Sequence, residues 1–109
     1  MIYAVSGTLV AKKEHFVVID TGAISFKVFV SAGTLAQMPE VGMKVKLFCH
    51  LHVREDALDL YGFLQERELD LFERLNSISG IGPKSALGIL SVAKVDQLVA
   101  AINEGKTDL

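Results

Sequence analysis

"SISGIGPKSA", Ser77 to Ala86, sets two glycines, a proline and a lysine between two apolar runs. What flanks the stretch decides how it folds. Upstream, "ERELDLFERLNSI" places Leu69, Phe72, Leu75 and Ile78 at helical spacing. Downstream, "PKSALGILSV" continues that spacing with Ala86, Leu87, Ile89 and Leu90. "KVDQLVAAINEG" adds Val95, Leu98, Val99 and Ile102 before a capping Gly105. The pattern predicts three helices, with Ser77–Ala86 as the turn between the first two and Pro83 in the first turn of the second.

Before Leu64 the period changes from helical to two. "ISFKVFV" puts Ile24, Phe26, Val28 and Val30 on one face. "MKVKLFCHLHV" puts Met43, Val45, Leu47, Cys49, Leu51 and Val53 on one face, with Lys44, Lys46, His50 and His52 on the other. This is the signature of half-buried strands. "HFVVID" and "ALDLYGF" add two more, "DTG" (Asp20–Gly22) reads as a hairpin turn, and a short helical piece is expected around Thr34–Met38. Five or six short strands at this spacing suggest a small closed barrel. The fold expected is therefore α+β: an OB-fold-like β-barrel over residues 1–63, then a helical domain over 64–109.

Composition limits the function. Residues 1–63 carry six Lys/Arg and six Asp/Glu, and residues 64–109 carry five and seven. Neither half is basic, which argues against broad non-specific nucleic-acid binding. Contacts made by backbone amides stay open. The single cysteine, Cys49, allows no internal disulfide. No apolar run approaches a membrane span, and "MIYAVSGTLV" lacks the pattern of a signal peptide. A cytoplasmic setting is expected.

The glycine turn does not match a nucleotide loop. The phosphate-loop motif needs four residues between its first glycine and its Gly-Lys pair, with a strand before it. Here the spacing is Gly80-x-Gly82-x-Lys84 after a helix, and Ser85 stands where a dinucleotide fingerprint has a third glycine. Two readings remain. One is a structural turn between packed helices. The other is a phosphate grip: the helix after the turn offers free N–H groups and a positive dipole end. In that reading Ser79, Gly80, Gly82, Lys84 and Ser85 contact phosphate, Lys84 adds a full charge, and Ile81 plugs the turn into the core. The turn alone divides evenly between the two; the plug and the lysine tilt it toward phosphate. Such a grip holds the backbone and reads no sequence.

Other groupings carry less. Cys49 faces away from His50 and His52 on their strand, so no metal site is expected. Glu66, Glu68, Asp70 and Glu73 are expected on the solvated face of the first helix, with Asp70 paired to Arg74. No catalytic grouping has a signature, so neither catalysis nor a cofactor is expected. Phe29 and Phe48 fall on the polar faces of their strands; packing against the helices or a neighbouring subunit is favoured over stacking on bases.

"LNSISGIGPKSALGIL" resembles the first helix-hairpin-helix motif of the RuvA family, the Holliday-junction-binding subunits of the bacterial branch-migration complex. "HVREDALDLYGF" (His52–Phe63), "MIYAVSGTLV" and "VVIDTGAISFKVFV" resemble the family's barrel, in the same order. Helix-hairpin-helix alone is shared by many repair proteins; the barrel stretch is far more specific. The resemblance implies a non-catalytic scaffold for four-way junctions, assembled as a homotetramer or octamer. It implies two partners: the RuvB ATPase as motor and the RuvC resolvase on the same junction. It also gives a role to "REDALD", where the residues alone read as a charged hairpin tip. In the family this tip is an acidic pin at the junction centre, and the matching positions are Glu55 and Asp56. A second hairpin and the RuvB-binding domain of the family have no counterpart here, so a truncated fragment is expected. Two alternatives remain, an accessory module of another DNA repair protein and a protein-interaction module whose turn binds nothing.

Overall fold

The computed structural model describes residues 1–92; the helix expected over Val95–Ile102 and its Gly105 cap lie outside the described residues. Eight elements follow one another: β1 (Ala4–Lys12), β2 (Phe16–Asp20), β3 (Ser25–Phe29), α1 (Ala32–Ala36), β4 (Lys44–Val53), β5 (Leu58–Phe63), α2 (Glu66–Asn76) and α3 (Pro83–Val92). The strands close into a barrel in the order β1-β2-β3-β5-β4, and β4 pairs back onto β1. The β3–β5 pairing is parallel and the others are antiparallel. This is a five-stranded OB-type barrel, within the five or six strands and small closed barrel that the alternating pattern suggested.

Closure gives each strand two neighbours, and β1 divides its length between them. The first half of β1 pairs with β4, from Ala4↔Phe48 to Thr8↔Lys44, and its second half pairs with β2, from Thr8↔Asp20 to Lys12↔Val17. The register shifts between Leu9 and Ala11, a bulge that bends the strand around the barrel. The interior is filled by Val5, Leu9, Val17, Ile19, Val28, Val30, Leu47, Cys49 and Leu60. Burial pushes the Cys49 thiol up to about 11, so it stays protonated and inert. Gly62 faces this interior, where a Cβ would sit 2.4 Å from Val28 Cγ1. The alternation outlasts the barrel wall at its ends: Ile24, Met43 and Val53, expected on buried faces, are exposed.

A second core lies between the outer face of the barrel and the helices. Tyr61 and Phe63 point outward from β5 and meet Leu69, Phe72 and Leu75 of α2 and Ala86 of α3. Phe72 is the hub, with ring centroids 5.4 Å from Tyr61, 5.1 Å from Phe63 and 5.4 Å from His50. Phe29 and Phe48 are half-buried against this same core, so the helix side of the barrel accounts for both. Because β5 is covered on both faces, "LYGF" reads as an unbroken apolar run.

Of the four carboxylates expected on the solvated face of α2, Glu66, Asp70 and Glu73 are exposed, while Glu68 is half-buried and burial raises its pKa; two of the exposed ones also tie the helix to the barrel. Glu66 accepts a hydrogen bond from the Tyr3 hydroxyl, and Glu73 sits 2.9 Å from His50 Nδ1. Asp70 and Arg74 form no ion pair among the described residues. A helix fixed at two points along its length, as well as by its apolar face, gives the turn after it a rigid base. Among the described residues, no helix is long and apolar enough to cross a membrane.

Candidate nucleic-acid interface

The turn after α2 is built by successive backbone bonds. Ser77 N–H donates to Glu73 O at 3.1 Å, and its hydroxyl donates to Arg74 O at 2.7 Å, closing the helix. Ile81 N–H then donates to Ile78 O at 3.0 Å, which makes Ile78–Ile81 a tight turn. Gly80 holds its third position with φ +89°, a left-handed value that side chains with a Cβ rarely adopt. Ile81 is half-buried against the second core. Gly82 O accepts from Ala86 N–H at 2.9 Å, so α3 starts at once, with Pro83 as its first residue.

These bonds leave a cluster of donors. The backbone N–H groups of Ser79, Gly80, Gly82, Lys84 and Ser85 have no acceptor among the described residues, and all five residues are exposed. Proline at the first helical position removes one donor and lets those of Lys84 and Ser85 stand at the helix N-terminus, where the dipole favours an anion. A Cβ added at Gly82 would meet nothing within 4 Å, so the space beside these amides is open. The Lys84 side chain is exposed next to them.

The acidic tip is a separate hairpin. The β4–β5 ladder runs to Val53↔Leu58, and Arg54 N–H donates to Ala57 O at 2.8 Å. Glu55 and Asp56 form the exposed end beyond that bond. Neither forms an ion pair among the described residues. Arg54 turns back instead, its Nη2 3.1 Å from Asp59 Oδ2. The two carboxylates at the tip are left unneutralised in solvent.

Turn and tip share a boundary that their positions in sequence do not announce. A groove of about 310 Å³ is lined on one side by His52, Arg54, Asp59 and Tyr61 of the β4–β5 hairpin. Its other side is the Gly82–Ser85 start of α3. Among the described residues, no group of three or more His, Cys, Asp or Glu is placed to hold a metal ion.

Sequence comparison bears on what this pairing of tip and turn serves. Residues 1–62 match the family described as the RuvA N terminal domain. This chain belongs to the RuvA family. It is 48% identical over 105 residues to the Holliday junction branch migration complex subunit RuvA of Thermoanaerobacter sp. (strain X514), covering 96% of this chain and 56% of that protein. The protein of the same name from Thermomicrobium roseum is 50% identical over 98 residues, covering 90% and 51%. That from Dehalococcoides mccartyi is 42% identical over 109 residues, covering 100% and 56%. The chain thus spans about half the length of the curated RuvA relatives it matches. The similarity to these RuvA proteins runs well beyond the barrel, through the helices that hold the glycine turn.

Proposed function

We propose that this chain is a non-catalytic DNA-binding scaffold that holds four-way junctions by their sugar-phosphate backbones, in recombination and repair in the cytoplasm. The observation that carries the reading is the cluster of five exposed amides, unpaired among the described residues, at Ser79, Gly80, Gly82, Lys84 and Ser85, beside the Lys84 ammonium. Backbone N–H groups at a helix N-terminus suit a phosphate oxygen and are blind to base sequence. Ile81, seated in the second core, keeps them in place. In this reading the barrel of residues 1–63 presents the tip and the residues from 64 onward present the grip.

Glu55 and Asp56 act by repulsion. Charges closer than the Debye length of about 8 Å are little screened, so two carboxylates against a phosphate cost binding energy. At a junction centre, where strands diverge, that cost keeps the strands apart. On a continuous duplex it has no benefit. Selectivity then comes partly from what the tip rejects. This is how a chain of net charge −2 is suited to DNA. The finer assembly rests on the family resemblance: a homotetramer or octamer places several tips at one centre, RuvB drives branch migration, and RuvC acts on the same junction.

The test is a titration of a four-way junction and a duplex of equal length at several salt concentrations, with the mass of the complex followed by light scattering. The expected result is tighter junction binding, with a salt slope that counts phosphates contacted. Equal affinity for both substrates would sink the junction reading.

A further inference from the structure

The groove between hairpin and turn contains an unused donor. Tyr61 is 3% exposed, its ring packed against Phe72 and Phe29. Its hydroxyl makes no hydrogen bond among the described residues, yet it is not one of the enclosed polar atoms. Its side chain lines this groove and also a cavity of about 580 Å³ on the Phe29 side, and the charges that act on the phenol, Asp59 and Arg54, both belong to the groove. Burial raises the pKa of this phenol, with Asp59 adding to the effect and Arg54 opposing it, so the group stays a neutral donor. The ring is packed in the second core while the hydroxyl reaches solvent, which leaves that donor free for a ligand.

The groups around it favour an anion. Arg54 is held by Asp59 through Nη2, which orients the guanidinium and leaves N–H groups of its fork available. Across the groove stand Lys84 and the unpaired amides of Lys84 and Ser85. His52 adds an imidazole edge from β4. Among the described residues, Asp59 is the one carboxylate in the lining, against the positive charges of Arg54 and Lys84.

We propose that this groove is a second phosphodiester seat, in which Tyr61, Arg54 and His52 hold another phosphate of the strand gripped at the glycine turn. The DNA backbone is thereby led from the turn toward the acidic tip. The inference rests on the junction-binding reading above, and it assigns a positive role to residues of the barrel in addition to the helical turn. It also gives the short connection between Arg54 and Glu55 a purpose. The strand is attracted by one residue and repelled by the next, so its path is fixed where it must leave its duplex.

The experiment is a fluorescence-anisotropy titration of a labelled four-way junction with the unaltered chain, Tyr61→Phe and Arg54→Gln, each with its melting temperature. Tyr61→Phe removes one oxygen that has no partner among the described residues. It should leave the melting temperature unchanged and weaken junction binding about tenfold, as for a lost hydrogen bond to a charged group. Arg54→Gln should weaken binding and lower the salt slope by about one phosphate. Binding and slopes equal to those of the unaltered chain in both variants overturn the second seat while leaving the junction reading standing. Failure of the unaltered chain to bind either junction or duplex overturns both.

Discussion

The acidic tip and the glycine turn are both exposed connections of a few residues, and both end stretches of regular structure that are tightly held. They differ in what they leave unpaired. The tip leaves two carboxylates, Glu55 and Asp56, and its backbone is closed by Arg54 N–H to Ala57 O. The turn leaves backbone donors, and its side chains are small apart from Ile78, Ile81, Pro83 and Lys84. One carries its chemistry in side chains and is replaceable without moving the chain. The other carries it in the backbone, so it depends on φ values and on whatever holds the chain still. Mutations should therefore affect the two in different ways: at the tip they change charge alone, and at the turn they change shape.

The largest effect is expected where the two regions are joined. Phe72 packs against Tyr61 and Phe63 of β5, His50 of β4 and the rest of the second core. Phe72→Ala should cost about 3–5 kcal/mol of stability, the range for a buried aromatic truncated to alanine. The inner barrel core of Leu9, Val17, Ile19, Val28 and Leu47 is untouched by it. Denaturant unfolding followed by far-ultraviolet circular dichroism should show the helices melting before the barrel. A single transition with an unchanged midpoint would mean that the second core does not hold the two regions together.

Next come the two glycines of the turn, which the sequence presents as equivalent and the structure does not. Gly80 has φ +89° and Gly82 does not lie in the left-handed region. Gly80→Val should strain the turn by about 1–2 kcal/mol or more, seen as a lower melting temperature. Gly82→Val places its Cβ in open space, so the fold should survive with a loss of about 1 kcal/mol or less. Its added methyls stand where a phosphate would approach the amides, and junction affinity should fall about tenfold, the loss of one charge-assisted hydrogen bond. A folded Gly82→Val chain that binds as tightly as the original would reduce the turn to a connection between helices.

What was legible in the sequence follows the same division. The barrel could be read because alternation is a backbone property, visible in "MKVKLFCHLHV" without knowing the neighbours. Its limits could not: Ile24, Met43 and Val53 continue the pattern past the point where there is a core to face. The donors of the turn were legible because glycine and proline dictate local geometry. The tethering of α2 through Glu66 and Glu73 was not, since a carboxylate on a helix looks the same whether water or Tyr3 meets it. Tyr61 was hidden most completely. In "LDLYGF" it is one apolar residue among several. Only the start of α3, standing across the groove from β5, shows that it lies beside Lys84 with a hydroxyl that has no partner among the described residues.

The smallest effect is expected at the tip, and it has the opposite sign. Glu55→Asn with Asp56→Asn removes two exposed charges that form no ion pairs among the described residues, so stability should hardly change. Surface substitutions of this kind usually stay within about 0.5 kcal/mol. Duplex binding should become tighter by about two- to fivefold at low salt, where the repulsion is least screened; at physiological ionic strength it reaches only roughly 8–10 Å. Junction binding should gain less, since strands diverging from the centre already avoid the tip. The preference for junction over duplex therefore narrows while both affinities rise. Raising the salt should shrink the difference between the double variant and the original chain, as screening takes over the role of the substitution. A gain that persists at high salt would show that shape at the tip, and not charge, discriminates between the two DNAs.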